Sequence, residues 1–206
     1  MTGYPGSGPR EILPGLTQWS VGWPRYTLES YAIELPSGCV LVDPSDYPPR
    51  GISAIERRGV SHIVITNHFH ERAAATFRGR FDAELWAPAD DAAQLETGAP
   101  DHTYGASTEL PAGLEAVLLG EISHGEHALL WTENRGVLFV GDALGTMSYW
   151  THGEGEIGAH PRARPPHALL GLLDLSYTSI VVGHGEPVLD TAKQVLNRYL
   201  IEATRD

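Results

Sequence analysis

Thr66-Asn67-His68-Phe69-His70-Glu71-Arg72-Ala73 closes the β-branched run that begins at His62, and its reading decides the rest of the chain. Side chains alternate along a strand, so two histidines one residue apart at a strand end converge on one ion. Alone, such a pair is as readily two capping or surface histidines. Its weight comes from what stands elsewhere in the chain.

Further runs finish on an isolated polar residue. Asp43 follows Cys39-Val40-Leu41-Val42, His124 follows Ile122-Ser123, Asp142 follows Val137-Leu138-Phe139-Val140-Gly141, and His184 follows Ile180-Val181-Val182-Gly183. A buried strand does not normally end on a lone charge, and imidazoles with a carboxylate form the ligand set of zinc, iron or manganese.

Outward from these residues the pattern alternates strand and helix. Tyr31 to Leu35 and Cys39 to Val42 read as a hairpin over Pro36-Ser37-Gly38, Arg50 to Gly59 as helix, Glu71 to Phe81 as helix, Glu84 to Ala87 as strand, and Pro88 to Leu95 as a helical turn or two. Gly98 to Gly113 has no usable periodicity and reads as loop. Leu114 to Leu119, Ala128 to Trp131 and Val137 to Val140 follow too closely for crossover helices, so they read as antiparallel neighbours. The chain ends in helix His167 to Leu173, strand Ser179 to Val182, and a helix with Val188, Ala192, Val195 and Tyr199 on one face.

The expected organisation is one domain over 1–206, with 1–25 a leader and first strand region and 145–166 an active-site loop. Loops of that length are usually functional, and this one carries Tyr149, Trp150, His152 and His160.

In this order the residues resemble the metallo-β-lactamase superfamily: an Asp-ended strand, H-x-H-x-D-H, a later His in a Gly-containing turn, G-D, and G-H-G, from about Leu41 to Pro187. The resemblance implies an α/β, four-layer αβ/βα sandwich. It makes His68, His70 and His124 the imidazoles of a first metal site, Asp142 the carboxylate bridging to a second, and His184 a member of that second site. Asp43 matches an aspartate that orients the histidines.

The chain departs from that motif where Arg72 and Ala73 replace its last Asp and His. Arginine is always charged and cannot ligate a metal, so Arg72 is expected to pair with Asp142 in the space of a lost cation. Glu71 is a substitute ligand only if the turn is re-registered; otherwise it serves a helix N-terminus. His127 is expected beside the site or on the surface, and His62, His102, His152, His160 and His167 have no ligand spacing, although His152 and His160 lie where a substrate would pass.

The leading expectation is a hydrolase of a small ester, thioester or lactone, with one Zn or Fe ion on His68, His70 and His124 and with Asp142 as fourth ligand or catalytic base. The alternatives are a sulfur-dioxygenase-like iron site on His68, His124 and Asp142, and a non-catalytic, metal-free binding protein on the same fold.

Composition narrows the partners. With 26 acidic against 14 basic residues and a net charge of −12, the 206-residue chain is ill suited to nucleic acid or anionic membrane. A small-molecule partner is expected, and the reading admits a homodimer. The lone Cys39 sits in an apolar run and calls for no oxidising compartment. No signal-peptide pattern or membrane-length apolar run is present, which makes the cytoplasm the expected location. No G-x-S-x-G elbow or phosphate-cradling G-x-x-x-x-G-K occurs.

Overall fold

The computed structural model describes residues 4–46, 53–152, 156–162 and 167–204. Strands β1 (Arg10–Leu13) and β2 (Leu16–Gly22) form a hairpin over Pro14-Gly15, where Gly15 takes a φ of 73° that a Cβ disfavours. Both strands fall within 1–25. They pair Arg10 with Gln18 and Glu11 with Thr17, so little apolar alternation marks the first of them. β3 (Thr27–Leu35) and β4 (Gly38–Val42) continue antiparallel over Pro36-Ser37.

The topology then changes. After α1 (Ser53–Arg58), β5 (Val60–Val64) lies parallel to β4; after α2 (Ala74–Phe81), β6 (Glu84–Pro88) lies parallel to β5, and β7 (His102–Tyr104) completes a seven-stranded sheet in simple order. The expected start of α1 at Arg50 lies outside the described residues. β7 and the two-residue β8 (Glu109–Leu110) occupy the stretch expected to be loop, being too short to show a period.

β9 (Leu114–Leu118), β10 (His127–Trp131) and β11 (Val137–Val140) are antiparallel neighbours, as their short connections require. A small pair, β12 (Leu144–Gly145) and β13 (Gly158–Ala159), brackets α3 (Ser148–Thr151). After α4 (His167–Gly171), β14 (Ser179–Val182) lies parallel to β11 and gives a second sheet of order β14-β11-β10-β9-β8, and α5 (Ala192–Ala203) follows.

The two-residue strand period sorts side chains into layers. Val40 and Val42 face the second sheet's Leu129, Phe139 and Val181, whereas Cys39 and Leu41 face the helical layer with Ile55, Ala74 and Phe77. On the far side, Leu138, Val140, Ile180 and Val182 meet Leu169, Leu172, Leu196 and Leu200. The result is helix, sheet, sheet, helix. Each fully buried Leu, Ile, Val or Phe contributes roughly 1.5–3 kcal/mol, which fixes the strand register and hence the side chains at the strand ends. The parallel pairs β4–β5 and β11–β14 deliver their C-terminal ends to one edge. There Thr66 bonds Asp43, and His184 bonds Asp142. Among the described residues no helix is long and apolar enough to cross a membrane.

Candidate functional site

Asp43 leaves β4 in the left-handed region, φ 49°, a conformation Asp tolerates better than most residues. That bend aims its buried carboxylate across β5: Oδ1 accepts Thr66 N–H at 2.8 Å, while Oδ2 accepts Thr66 Oγ1–H at 2.8 Å and lies 2.7 Å from His70 Nδ1. Asp43 therefore does orient His70, fixing its Nδ1–H.

His68 and His70 do not converge. Asn67 caps a 3₁₀ turn, His68–His70, by accepting His70 N–H on Oδ1 at 3.1 Å. At three residues per turn, side chains two apart diverge, where a strand would have aligned them. His70 points into the cleft. His68 points to Asp91, whose Oδ2 lies 3.0 Å from His68 Nδ1 and accepts His68 N–H at 2.9 Å.

Asp142 and His184 meet from neighbouring strand ends. Asp142 Oδ1 lies 3.0 Å from His184 Nε2 and 3.5 Å from His70 Nε2. The close approach needs small residues: a Cβ on Gly183 would fall 2.5 Å from His70 Cε1, and one on Gly141 2.5 Å from Thr66 Oγ1. His184 Nδ1 sits 2.8 Å from Thr27 O, and its ring stacks on Trp150 at 4.6 Å with Tyr26 edge-on at 4.7 Å. Trp150 Nε1–H in turn donates to Asp142 O at 2.9 Å. Burial opposes ionisation of Asp142, yet His70 and His184 outweigh it and hold the carboxyl well below its usual range. Burial drives His184 down to about 4, against its bond to Asp142.

Arg72, at a strained φ of 39°, threads its guanidinium among these groups. Nη1–H donates to the carbonyls of Glu29 at 2.6 Å and Asp43 at 3.3 Å; Nη2–H reaches Gly183 O at 3.3 Å and His70 Nε2 at 3.0 Å. The expected ion pair with Asp142 does not form. The side chain follows carbonyls and an imidazole instead, and acts on Asp142 through its charge alone. Desolvation and the Arg72 charge press His70 down, but Asp43 and Asp142 outweigh both and raise it to about 9. The neutral ring accepts from Arg72; the protonated ring turns Nε2–H toward Asp142.

The remaining expected residues lie elsewhere. His124 is exposed and joins no described metal-type cluster. His127 is buried at the start of β10, its Nδ1 2.7 Å from Gly125 O. Glu71 neither ligates nor caps: it accepts the backbone N–H groups of Glu96 and Thr97, both at 2.8 Å, and the Thr97 hydroxyl. His62 and His102 flank Glu84 on the surface, His152 lies outside the cleft, and the side chain of His167 is outside the described residues.

Asp91 and Glu126 escaped sequence reading. Asp91, fully buried, also accepts Ser123 Oγ–H at 2.6 Å and Gly125 N–H at 2.9 Å, so one carboxylate ties the His68 turn to the loop that carries His124. Glu126 accepts Ala143 N–H at 2.8 Å and Ile122 N–H at 3.0 Å; burial, then the Asp142 charge, raise it to about 7. Both sit in short polar stretches where nothing local separates a buried acid from a solvated one.

Together these groups floor a cleft of about 390 Å³. Trp23, Tyr26, Leu28, Phe69 and Ile122 wall it, and the 145–166 segment contributes Tyr149, Trp150, His160 and Arg162; residues 153–155 and 163–166 lie outside the described set.

A four-layer sandwich with this cleft at the strand ends is the metallo-β-lactamase fold. The DIM-1 metallo-β-lactamase exposed to ceftazidime superposes with a TM-score of 0.75 at 15% identity, over 100% of this chain and 99% of that one. A metallo-β-lactamase from Pontibacter korlensis gives 0.75 at 16%, over 96% and 99%. The FIM-1 enzyme from Pseudomonas aeruginosa in its mono-zinc form gives 0.73 at 14%, over 98% and 96%. No protein-family model and no curated protein matches the sequence. At such identities the likeness speaks for the fold.

The metal that the resemblance implies can be tested against the donors present. His70, Asp142 and His184 do bring one ligand atom each within 4.8 Å of one another, a two-histidine, one-carboxylate set. A dinuclear centre does not fit, since His68 is turned to Asp91, His124 is exposed and outside the cluster, and Arg72 and Ala73 offer no ligand. A single ion does not fit the present arrangement either. The His70 Nε2 lone pair is taken, by an Arg72 N–H at 3.0 Å or by a proton, and the fixed guanidinium charge lies against that nitrogen.

Proposed function

We propose that this chain is a metal-independent small-molecule-binding protein on the metallo-β-lactamase fold, with the Arg72 guanidinium standing in for a cation. The observation that carries this reading is the 3.0 Å approach of Arg72 Nη2 to His70 Nε2. A half-buried guanidinium with Asp43 and Asp142 nearby offsets their charge without a divalent ion, and its carbonyl bonds fix it in place. The net charge of −12 supports a small-molecule partner over nucleic acid or an anionic membrane. Titration calorimetry with Zn²⁺ tests it: the wild-type chain takes up no zinc at the cleft, whereas Arg72→Asp, which removes the charge and adds a carboxylate, binds it. Tight zinc binding by the wild type overturns the reading.

A second reading has its own observation. A neutral His184 that donates Nδ1–H to Thr27 O turns a lone pair toward Asp142 Oδ1, and two lone pairs 3.0 Å apart call for a cation or a proton between them. In that reading His70, Asp142 and His184 hold one zinc or iron ion once Arg72 moves aside. The ion supplies an activated water, and the protein is a mononuclear hydrolase of a small ester, thioester or lactone. Zinc binding abolished by both His184→Ala and His70→Ala, together with zinc-dependent esterase activity, would establish it.

A further inference from the structure

The cleft holds an arginine with no acidic partner among the described residues, in a strongly acidic protein. Of the residues lining it, Arg72 and Arg162 carry fixed positive charge against the single carboxylate of Asp142, while the chain as a whole has a net charge of −12. The two arginines are not equivalent. Arg72 has spent its terminal N–H groups on three carbonyls and His70. Arg162 makes a backbone bond only: its N–H donates to His160 Nδ1 at 3.0 Å, and its exposed guanidinium has no acidic partner among the described residues. By accepting on Nδ1, a neutral His160 keeps its remaining N–H on Nε2, a second donor beside the same arginine.

The opposite character appears at the rim. Trp23 is 51% exposed and Phe69 56% exposed, and both line this cleft. They are two of six large apolar side chains exposed among the described residues, and large exposed apolar surface grouped at a concave site marks a binding surface.

Resting on the metal-independent reading, we propose that the cleft takes a small planar organic carboxylate, its ring body against Trp23 and Phe69 and its carboxylate on Arg162 and the His160 N–H. The Arg162 guanidinium, with no acidic partner among the described residues, disfavours an organic cation, and a volume of about 390 Å³ is of small-molecule size.

Calorimetric titration of the full chain after chelation, with 2-naphthoate, 2-naphthylmethylamine and inorganic phosphate as probes, tests this. Binding of 2-naphthoate is expected, weakened about tenfold or more by Arg162→Gln, the loss of one charge-assisted pair. Phe69→Ala is expected to weaken it also, and the amine is expected not to bind. The proposal is overturned if the amine binds as tightly as naphthoate, if Arg162→Gln leaves the naphthoate affinity unchanged, if phosphate competes fully and so shows a mere anion site, or if naphthoate gives no binding to protein with a native circular dichroism spectrum. Metal content, measured on the same samples before chelation, decides the metal-independent reading separately. A metal-free protein that ignores naphthoate refutes the ligand class alone.

Discussion

Arg72 Nη2 approaches His70 Nε2 to 3.0 Å, placing a permanent cation on the ring nitrogen that faces the cleft. The same side chain bonds the carbonyls of Glu29, Asp43 and Gly183 and so joins β3, the end of β4 and the end of β14. Charge compensation and cross-bracing reside in one residue.

Truncating that residue removes both. Arg72→Ala leaves Asp43 and Asp142 facing each other across His70 without the guanidinium, and loss of one partner from a buried charge network costs about 3–5 kcal/mol. Urea denaturation without metal should show a loss of that order, recovered in part by added zinc in the variant and not in the wild type.

The raised pKa of His70 sets a pH dependence. Its folded value of about 9 exceeds the ordinary 6.5, so the stability it contributes is complete below pH 6.5 and is lost as pH rises through 9. Glu29 and Glu126, raised from 4.5 to about 7, lose their contribution between those values, which leaves pH 7 to 9 to His70. Denaturant midpoints should fall across pH 7–9, and His70→Gln should flatten that limb; an unchanged slope in the variant would assign it to another group.

Asp91 should matter as much as a core residue. Asp91→Ala strands the backbone N–H groups of His68 and Gly125 and the Ser123 hydroxyl; the last two are buried donors, each worth about 1–3 kcal/mol when unpaired. A combined loss of about 3 kcal/mol or more is expected in equilibrium unfolding, with faster amide exchange over 120–127. A loss below about 1 kcal/mol would mean that water replaces the carboxylate.

Gly183→Ala places a Cβ 2.5 Å from His70 Cε1, and overpacking of a tight site costs about 1–3 kcal/mol. The imidazole resonances of His70 and His184 should both shift, because the ring cannot retreat without disturbing Asp142.

The order of strands and helices was legible because the cores obey simple periods, and the sandwich followed from the resemblance. Val40 and Val42 alternate with Cys39 and Leu41, and the short links between β9, β10 and β11 admit only antiparallel neighbours. The strand ends Asp43, Asp142 and His184, with His70 beside them, were legible for the same reason: a charge after an apolar run stands out. His68 is misplaced when the H-x-H is taken as strand, because the Asn67 cap winds it into a 3₁₀ turn; His124 follows only from its place in the family order, and it is exposed. Asp91 could not be read at all, since its partners lie 23 to 34 residues away. β1 and β2 show in the sequence only as a strand region, because Arg10 and Glu11 pair with polar partners.

Elemental analysis of protein purified without chelators distinguishes a guanidinium standing in for a metal ion from a metal centre. Zinc and iron are expected far below stoichiometric, before and after incubation with either metal. About one equivalent of zinc or iron, lost in both His70→Ala and His184→Ala, would contradict that expectation and return the cleft to metal chemistry.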